Sequence, residues 1–275
     1  MNTYEKIKNF NDEDFQINFG VKVDTFFAML EALEEAYNER HRKGGRPLSK
    51  LSILDKLVIT LTYYREYCTM QHLSFDYDVS KMAISKTVNW AEDVLSKNPN
   101  FTLPSKKILQ ENNEIQAVIV DATESPIQRP KKSQEHFYSG KKKHHTLKTQ
   151  IIIDAATLDI CTVDIAPGSV HDFELYKQSN IEIRDDIQLT GDKAYQGIQK
   201  IHANSLIPFK NSVQKPLSEI QKAYNSWLSG NRVKIEHVNA YLKRFRIVSA
   251  RFRNYRSQYA KKIKLICGIY NFQHR

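Results

Sequence analysis

The sequence predicts an all-α N-terminal region followed by an α/β domain with a mixed sheet flanked by helices. Three observations predict it. Apolar residues recur at helical spacing through residues 1–105. From Ala117 the pattern changes to short β-branched runs of strand length, bounded by turn residues. Positive charge is concentrated in two segments rather than spread over the chain.

In the first region, Phe26, Phe27, Leu30, Leu33, Ala36 and Tyr37 stand at helical spacing within residues 14–40. Gly44-Gly-Arg-Pro47 is a break, and Ser49 or Ser52 is placed to cap the next helix. That helix carries Leu54, Leu57, Val58, Leu61, Tyr64 and Tyr67 on one side. Thr69–Asp76 reads as a short helix, Tyr77-Asp-Val79 as a turn and Ser80 as a strong helix start. Ile84, Val88, Ala91 and Leu95 then form one apolar face. Over residues 69–97 this is the grammar of a helix-turn-helix, whose second helix would enter a major groove. Lys81 and Lys86 fall on the other side, suited to phosphates. A plain bundle of packed helices shares much of this spacing. Asn98-Pro-Asn100 and Pro104 end the unit.

Residues 112–275 read differently. Ala117-Val-Ile-Val120 is a buried strand that ends on Asp121. A basic loop follows, with Arg129-Pro-Lys-Lys132 and Lys141, Lys142 and Lys143. Leu147–Ile153 and Ile160–Ala166 are a second and third strand, most simply antiparallel. A helix opens after Gly168-Ser-Val-His-Asp172 and runs to Gln178. Ile187–Asp192 is a fourth strand, Ile207-Pro-Phe209 a short fifth, and 218–248 a helix interrupted near Ser229-Gly230. The order β-β-β-α-β-α-β-α is that of the ribonuclease H fold.

Three carboxylates stand out: Asp121 and Asp192 at strand ends, and Glu236 on the late helix. A strand-end acid can simply accept bonds from a turn. Glu236, however, is the only acid among 12 Lys and Arg in residues 232–275, which is odd for a solvated face. Arg232 lies one helical turn before it. Two aspartates and a glutamate suit hard divalent cations, which take oxygen ligands. Two such ions roughly 3.5–4 Å apart activate the attacking oxygen and stabilise the leaving one in phosphodiester displacement.

Composition bounds the partners. The net charge is +10 and the pI near 9.3. Residues 232–275 carry +11 and residues 129–148 carry +6, so the remainder sums to −7. Clustered basicity interleaved with Tyr241, Phe245, Phe252, Tyr255 and Tyr259 fits a nucleic acid better than a lipid surface. No run approaches the roughly 18 apolar residues that span a bilayer. The first residues predict no export signal. Cys68, Cys161 and Cys267 are far apart and form no Cys-x-x-Cys pair, which argues for a reducing compartment without disulfides or structural zinc.

Five motifs in order resemble the DDE transposases of bacterial insertion sequences, in the group that also contains the Harbinger-type elements. They are Val120-Asp-Ala-Thr-Glu124, Tyr138-Ser-Gly-Lys-Lys-Lys143, Gly168-Ser-Val-His-Asp172, Gly191-Asp-Lys-Ala-Tyr-Gln-Gly197, and Arg232-x-x-x-Glu236 with Leu242-Lys-Arg-Phe245. Cys267-Gly-Ile-Tyr-Asn271 fits as well. The resemblance implies that Asp121, Asp192 and Glu236 are the catalytic metal ligands, with Asp172 accessory. Glu124, three residues past Asp121 on a continuing strand, would face the other way. It implies Mg²⁺ or Mn²⁺, with two ions, and DNA contacts from Lys81, Lys86, Lys141, Lys142, Lys143, Arg232, Lys243 and Arg244. The partners implied are double-stranded DNA, as element ends and target, and further copies of the chain in a homodimer or larger assembly. No membrane partner is expected, and the implied place of action is the bacterial cytoplasm, on the nucleoid. Only 43 residues separate Asp192 from Glu236, too few for an inserted domain. A host-adopted DNA-binding protein of this descent and a structure-specific or RNA nuclease on the same fold are the alternatives.

Overall fold

The computed structural model describes residues 3–42, 50–212, 214 and 216–275. The Gly44–Pro47 break and the candidate cap Ser49 lie outside the described residues. In chain order the helices are α1 (Thr3–Ile7), α2 (Asp12–Phe19), α3 (Val23–His41), α4 (Ile53–Glu66), α5 (Met70–Asp76), α6 (Lys81–Leu95), α7 (Ile108–Glu111), α8 (Gln134–Phe137), α9 (Asp172–Gln178), α10 (Glu219–Arg244), α11 (Arg246–Ser249) and α12 (Tyr259–His274). The strands are β1 (Ala117–Pro126), β2 (Tyr138–Ser139), β3 (His144–Asp154), β4 (Ile160–Pro167), β5 (Gln188–Thr190) and β6 (Ser205–Leu206).

The chain forms two compact units. The first holds residues 1–102, 242–250 and 254–275, and the second holds 103–241 and 251–253. The sequence boundaries, 1–105 and 112–275, thus differ in the C-terminal segment, most of which joins the helical unit. The apolar side of α12 explains why. Ile263, Leu265, Ile266, Cys267, Ile269 and Tyr270 are all buried, and a helix of that character must be covered.

Within the first unit, local signals act as the sequence predicts. Ser52 caps α4 in a capping box with Asp55. Ser80 caps α6, its side chain accepting from the Ala83 N–H at 3.2 Å. Ile84, Val88, Ala91 and Leu95 are fully buried, so the predicted face of α6 is the packed one. Residues 14–40 are two helices rather than one run, because Gly20 turns left-handed (φ 78°) and ends α2. Gly268 admits a close approach: a Cβ there would lie 1.8 Å from the Phe101 carbonyl oxygen. At the centre Lys262 and Glu92 form an ion pair, each side chain 3% exposed, with the ammonium over the Tyr63 and Tyr64 rings.

The second unit is built on a mixed sheet. β3 runs antiparallel to both β1 and β4, while β1, β5 and β6 are parallel. The spatial order is β4-β3-β1-β5-β6, with β2 added at the start of β3. Omitting short β2, the strands stand in the order 3-2-1-4-5 with the second reversed, which is the ribonuclease H-like topology. One face buries Val118, Val120, Ile152 and Leu189 with Tyr176 of α9, Tyr195 and Ile198.

Four local expectations change. β1 does not end at Asp121; its ladder with β3 continues to Pro126↔Thr146, which places Asp121 mid-strand. The fifth strand is Ser205–Leu206, not Ile207–Phe209, because the Phe209 N–H bonds the Asn225 side chain instead of a strand. Between β5 and β6 the chain makes 3₁₀ turns (Lys193–Tyr195 and Ile198–Lys200) rather than the expected α-helix. α10 runs unbroken through Ser229-Gly230, a position that costs a helix only about 1 kcal/mol relative to Ala.

Candidate active site

Asp121 stands on the central strand with β3 on one side and parallel β5 on the other. The buried positions around it leave its carboxyl 20% exposed. The Asn239 amide of α10 donates from Nδ2 to Asp121 Oδ2 at 2.9 Å. Arg232 Nη2, from the same helix, lies 4.0 Å from Oδ1. Burial pushes the Asp121 carboxyl up to about 6; Arg232 opposes this, and the negative charges of Asp192 and Asp172 add to it.

Asp192 follows β5 by two residues and caps the 3₁₀ turn Lys193–Tyr195, its Oδ1 accepting from the Ala194 N–H at 2.8 Å. Gly191 permits this exit: a Cβ there would crowd Ile207, Val120 and Tyr195 at 3.1–3.3 Å. Asp172 begins α9 and pairs with Lys148 Nζ at 2.6 Å. Lys148 is itself buried and also donates to the Val170 carbonyl at 2.5 Å. Gly168, just before, meets β3 so closely that a Cβ would lie 1.9 Å from Thr146 Oγ1.

The structure therefore brings Asp121, Asp192 and Asp172 within electrostatic reach of one another. Glu236 is exposed on α10. It lies four residues after Arg232 and three before Asn239, so it shares their stripe of the helix. Glu124 accepts from Thr146 Oγ1 at 2.7 Å, and it lies three positions along the strand from Asp121. By strand alternation it belongs to the opposite face.

Four residues of this neighbourhood were not singled out from sequence. Asn239 could have been found from its helical offset to Arg232. Lys148 and Gln150 sit at the alternating positions of a strand that looks solvated on that side, yet both are buried. Tyr195 is fully buried, its hydroxyl 3.3 Å from Gln150 Oε1. Burial raises the Tyr195 hydroxyl well above its usual range, and Asp172, Asp121 and Asp192 reinforce that direction.

The donor set suits a hard cation. It is all oxygen, it is more negative than its nearby guanidinium compensates, and the buried Asn239 Oδ1 has no hydrogen-bond partner. Among the described residues, no group of three His, Cys, Asp or Glu side chains is placed to hold a metal ion.

The cationic candidates divide between the units. Lys81, Lys86, Lys243 and Arg244 are exposed in the first. Lys141, Lys142 and Lys143 are exposed in the second, where the Ser139 hydroxyl and carbonyl take the backbone N–H groups of Lys142 and Lys143. Arg232, by contrast, is only 15% exposed and turned to Asp121.

Comparison with known proteins shows the family of the chain. Residues 120–271 match the DDE superfamily endonuclease family, and residues 49–101 match the helix-turn-helix of DDE superfamily endonucleases. The chain is 39% identical over 270 residues to a protein of Microchaete diplosiphon described as "Probable transposase for insertion sequence element IS702", covering 98% of this chain and 97% of that one. Among solved structures it is similar to a piggyBac transposase synaptic complex with hairpin DNA, at 12% identity, 98% of this chain, 76% of that chain and a TM-score of 0.47. It is also similar to a Mos1 transposase paired-end complex with the left transposon end, at 11% identity, 80% of this chain, 88% of that chain and a TM-score of 0.22.

Proposed function

The chain belongs to the DDE superfamily of endonucleases, and from that premise we propose how its residues divide the work of an insertion-sequence transposase. It is a metal-dependent DNA endonuclease and strand transferase with a helix-turn-helix DNA-binding region. In our reading the helix-turn-helix holds the terminal inverted repeats of the element, with Lys81 and Lys86 on phosphates. Lys141, Lys142, Lys143, Lys243 and Arg244 hold further DNA backbone.

Asp121, Asp192 and Glu236 would hold two Mg²⁺ or Mn²⁺ ions, with Asp172 accessory and restrained by Lys148. When bound, such ions act as Lewis acids that activate the attacking oxygen and stabilise the leaving one. The remaining work belongs to the chain. α10 turns Arg232 and Asn239 onto Asp121 and carries Glu236 on the same stripe. Buried Tyr195 and Gln150 exclude water behind the carboxylates. Water attacks the phosphorus at each element end, the P–O3′ bond breaks and a 3′-hydroxyl is released. That hydroxyl then attacks a target phosphodiester, and the target's own 3′-oxygen leaves. Joining two ends requires two active sites, so a homodimer or larger assembly on DNA follows. Among the described residues no helix is long and apolar enough to cross a membrane. We place the protein on the nucleoid in the bacterial cytoplasm.

The observation that carries this reading is the half-buried, under-compensated Asp121 carboxyl on the central strand of a ribonuclease H-like sheet. The test is incubation of the protein with end-containing DNA and Mg²⁺ or Mn²⁺. Nicks at the element ends are expected with the wild type and not with Asp121→Ala or Glu236→Ala. Nicking by either variant would overturn the assignment. Cleavage indifferent to the terminal sequence would favour a nuclease instead.

A further inference from the structure

We propose that Asn239 is a positioning residue for the reaction: its amide holds the Asp121 carboxyl in one orientation for metal binding. This rests on the reading of Asp121 as a metal-binding carboxylate. The contact is specific and long-range. Nδ2 donates to Asp121 Oδ2 at 2.9 Å between residues 118 apart in the chain. Asn239 is 6% exposed, so its rotamer is fixed by packing rather than by solvent.

The amide is a poor choice for stability alone. Its Oδ1 is buried with no hydrogen-bond partner, a penalty that an apolar side chain of the same shape would not carry. It is a good choice for orienting a ligand. A Lys or Arg donor at hydrogen-bond distance would neutralise Asp121 and repel an arriving cation. A neutral amide fixes the carboxyl and leaves its charge available. Arg232 stands off at 4.0 Å, beyond direct hydrogen-bond length, so the close donor among the α10 side chains is the uncharged one. Asn239 also lies three residues past Glu236, on the same stripe of α10. One helix thus supplies a predicted ligand and the group that orients another. Partners that hydrogen-bond a ligating group typically govern metal affinity by about 10–100-fold.

The test uses the full chain. Asn239→Leu keeps the branching and removes the donor. Mn²⁺ binding to the DNA-free protein, followed by electron paramagnetic resonance, should weaken about 10–100-fold. The Mn²⁺ concentration for half-maximal cleavage should rise by a similar factor. The melting temperature should fall only slightly, since the orphaned Asn239 Oδ1 goes as the hydrogen bond to Asp121 is lost, and DNA binding in chelator should be unchanged. Asn239→His, which restores an N–H at similar reach, should recover part of the Mn²⁺ affinity. Mn²⁺ affinity of Asn239→Leu within twofold of wild type overturns the proposal. So does a loss of affinity that merely parallels a loss of thermal stability. Should Asn239→Leu not fold, Asn239→Ser, whose hydroxyl is too short to reach Asp121, is judged on the same two measurements. Asp121→Asn, run alongside, separates the two ideas. If it still binds Mn²⁺ and cuts, the Asp121 reading fails; if it is inactive while Asn239→Leu is normal, only the positioning role fails.

Discussion

Two sites where charge is withdrawn from water are treated oppositely, the Glu92–Lys262 pair and the surroundings of Asp121. In the helical unit, Glu92 and Lys262 face each other with both side chains 3% exposed. The ammonium also lies 5.5 Å from the centre of the Tyr64 ring. Burial still pulls the Lys262 ammonium below its usual range, against the pull of Glu92. The same burial, with Glu92 adding, drives the Tyr64 hydroxyl well above its own. The charges there are matched one to one, and nothing is left over for a ligand. In the sheet unit, Asp121 has a guanidinium only at 4.0 Å and two further acids in reach, and its carboxyl rises to about 6. A closed pair specifies packing; an open, excess-negative cluster specifies a cation. Compensation, rather than burial, separates a structural charge from a functional one.

The comparison breaks most visibly at Asp121. Asp121→Asn should lower the cleavage rate by roughly 10³-fold or more, since several kcal/mol of transition-state stabilisation pass through the metal ligands. In chelator the same variant should melt no lower than the wild type, because an uncompensated buried charge has been removed. A clear fall in melting temperature would mean that Asp121 is a structural acid like Glu92. Excess EDTA should stop cleavage as completely, while filter binding to duplex DNA stays within about twofold, phosphate contacts by Lys and Arg needing no cation.

The opposite behaviour is expected of the closed pair. Glu92→Leu or Lys262→Met alone should cost about 3–5 kcal/mol by denaturant titration, by stranding one buried ion. The double variant should recover most of that loss. Equal losses in the single and double variants would show that the pair is not what holds α12. A smaller cost, about 1–3 kcal/mol, is expected for Gly268→Ala, whose new Cβ must displace the Phe101 backbone or shift α12. The smallest effect belongs to the exposed cations. Lys81→Ala should weaken DNA binding uniformly across sequences and reduce the salt-dependence slope by about 1. A change confined to one base position would make Lys81 a base reader instead.

Much of this was legible in the sequence. α6 carries its whole buried face in the spacing of Ile84, Val88, Ala91 and Leu95, and its start in Ser80. β1 is announced by Ala117-Val-Ile-Val120, and β3 and β4 follow at hairpin spacing. Asp121, Asp192 and Glu236 could be named because each sits in a motif a few residues long. The errors were errors of range. The polar residues after Asp121 suggest a strand end, yet Thr123 and Ser125 are buried and the β3 ladder continues past them.

The sequence by itself determined the helical and β-sheet units, the order of the strands and the identity of the candidate carboxylates. These are written in periods of two and 3.6 residues, in caps and in turns, all of which act within a few positions. Tertiary structure alone decided that residues 254–275 complete the helical unit and that Lys148 closes on Asp172. It alone set Asn239 against Asp121, 118 residues away. Contacts at such separations come from which faces are covered when the elements pack, and no local period encodes that.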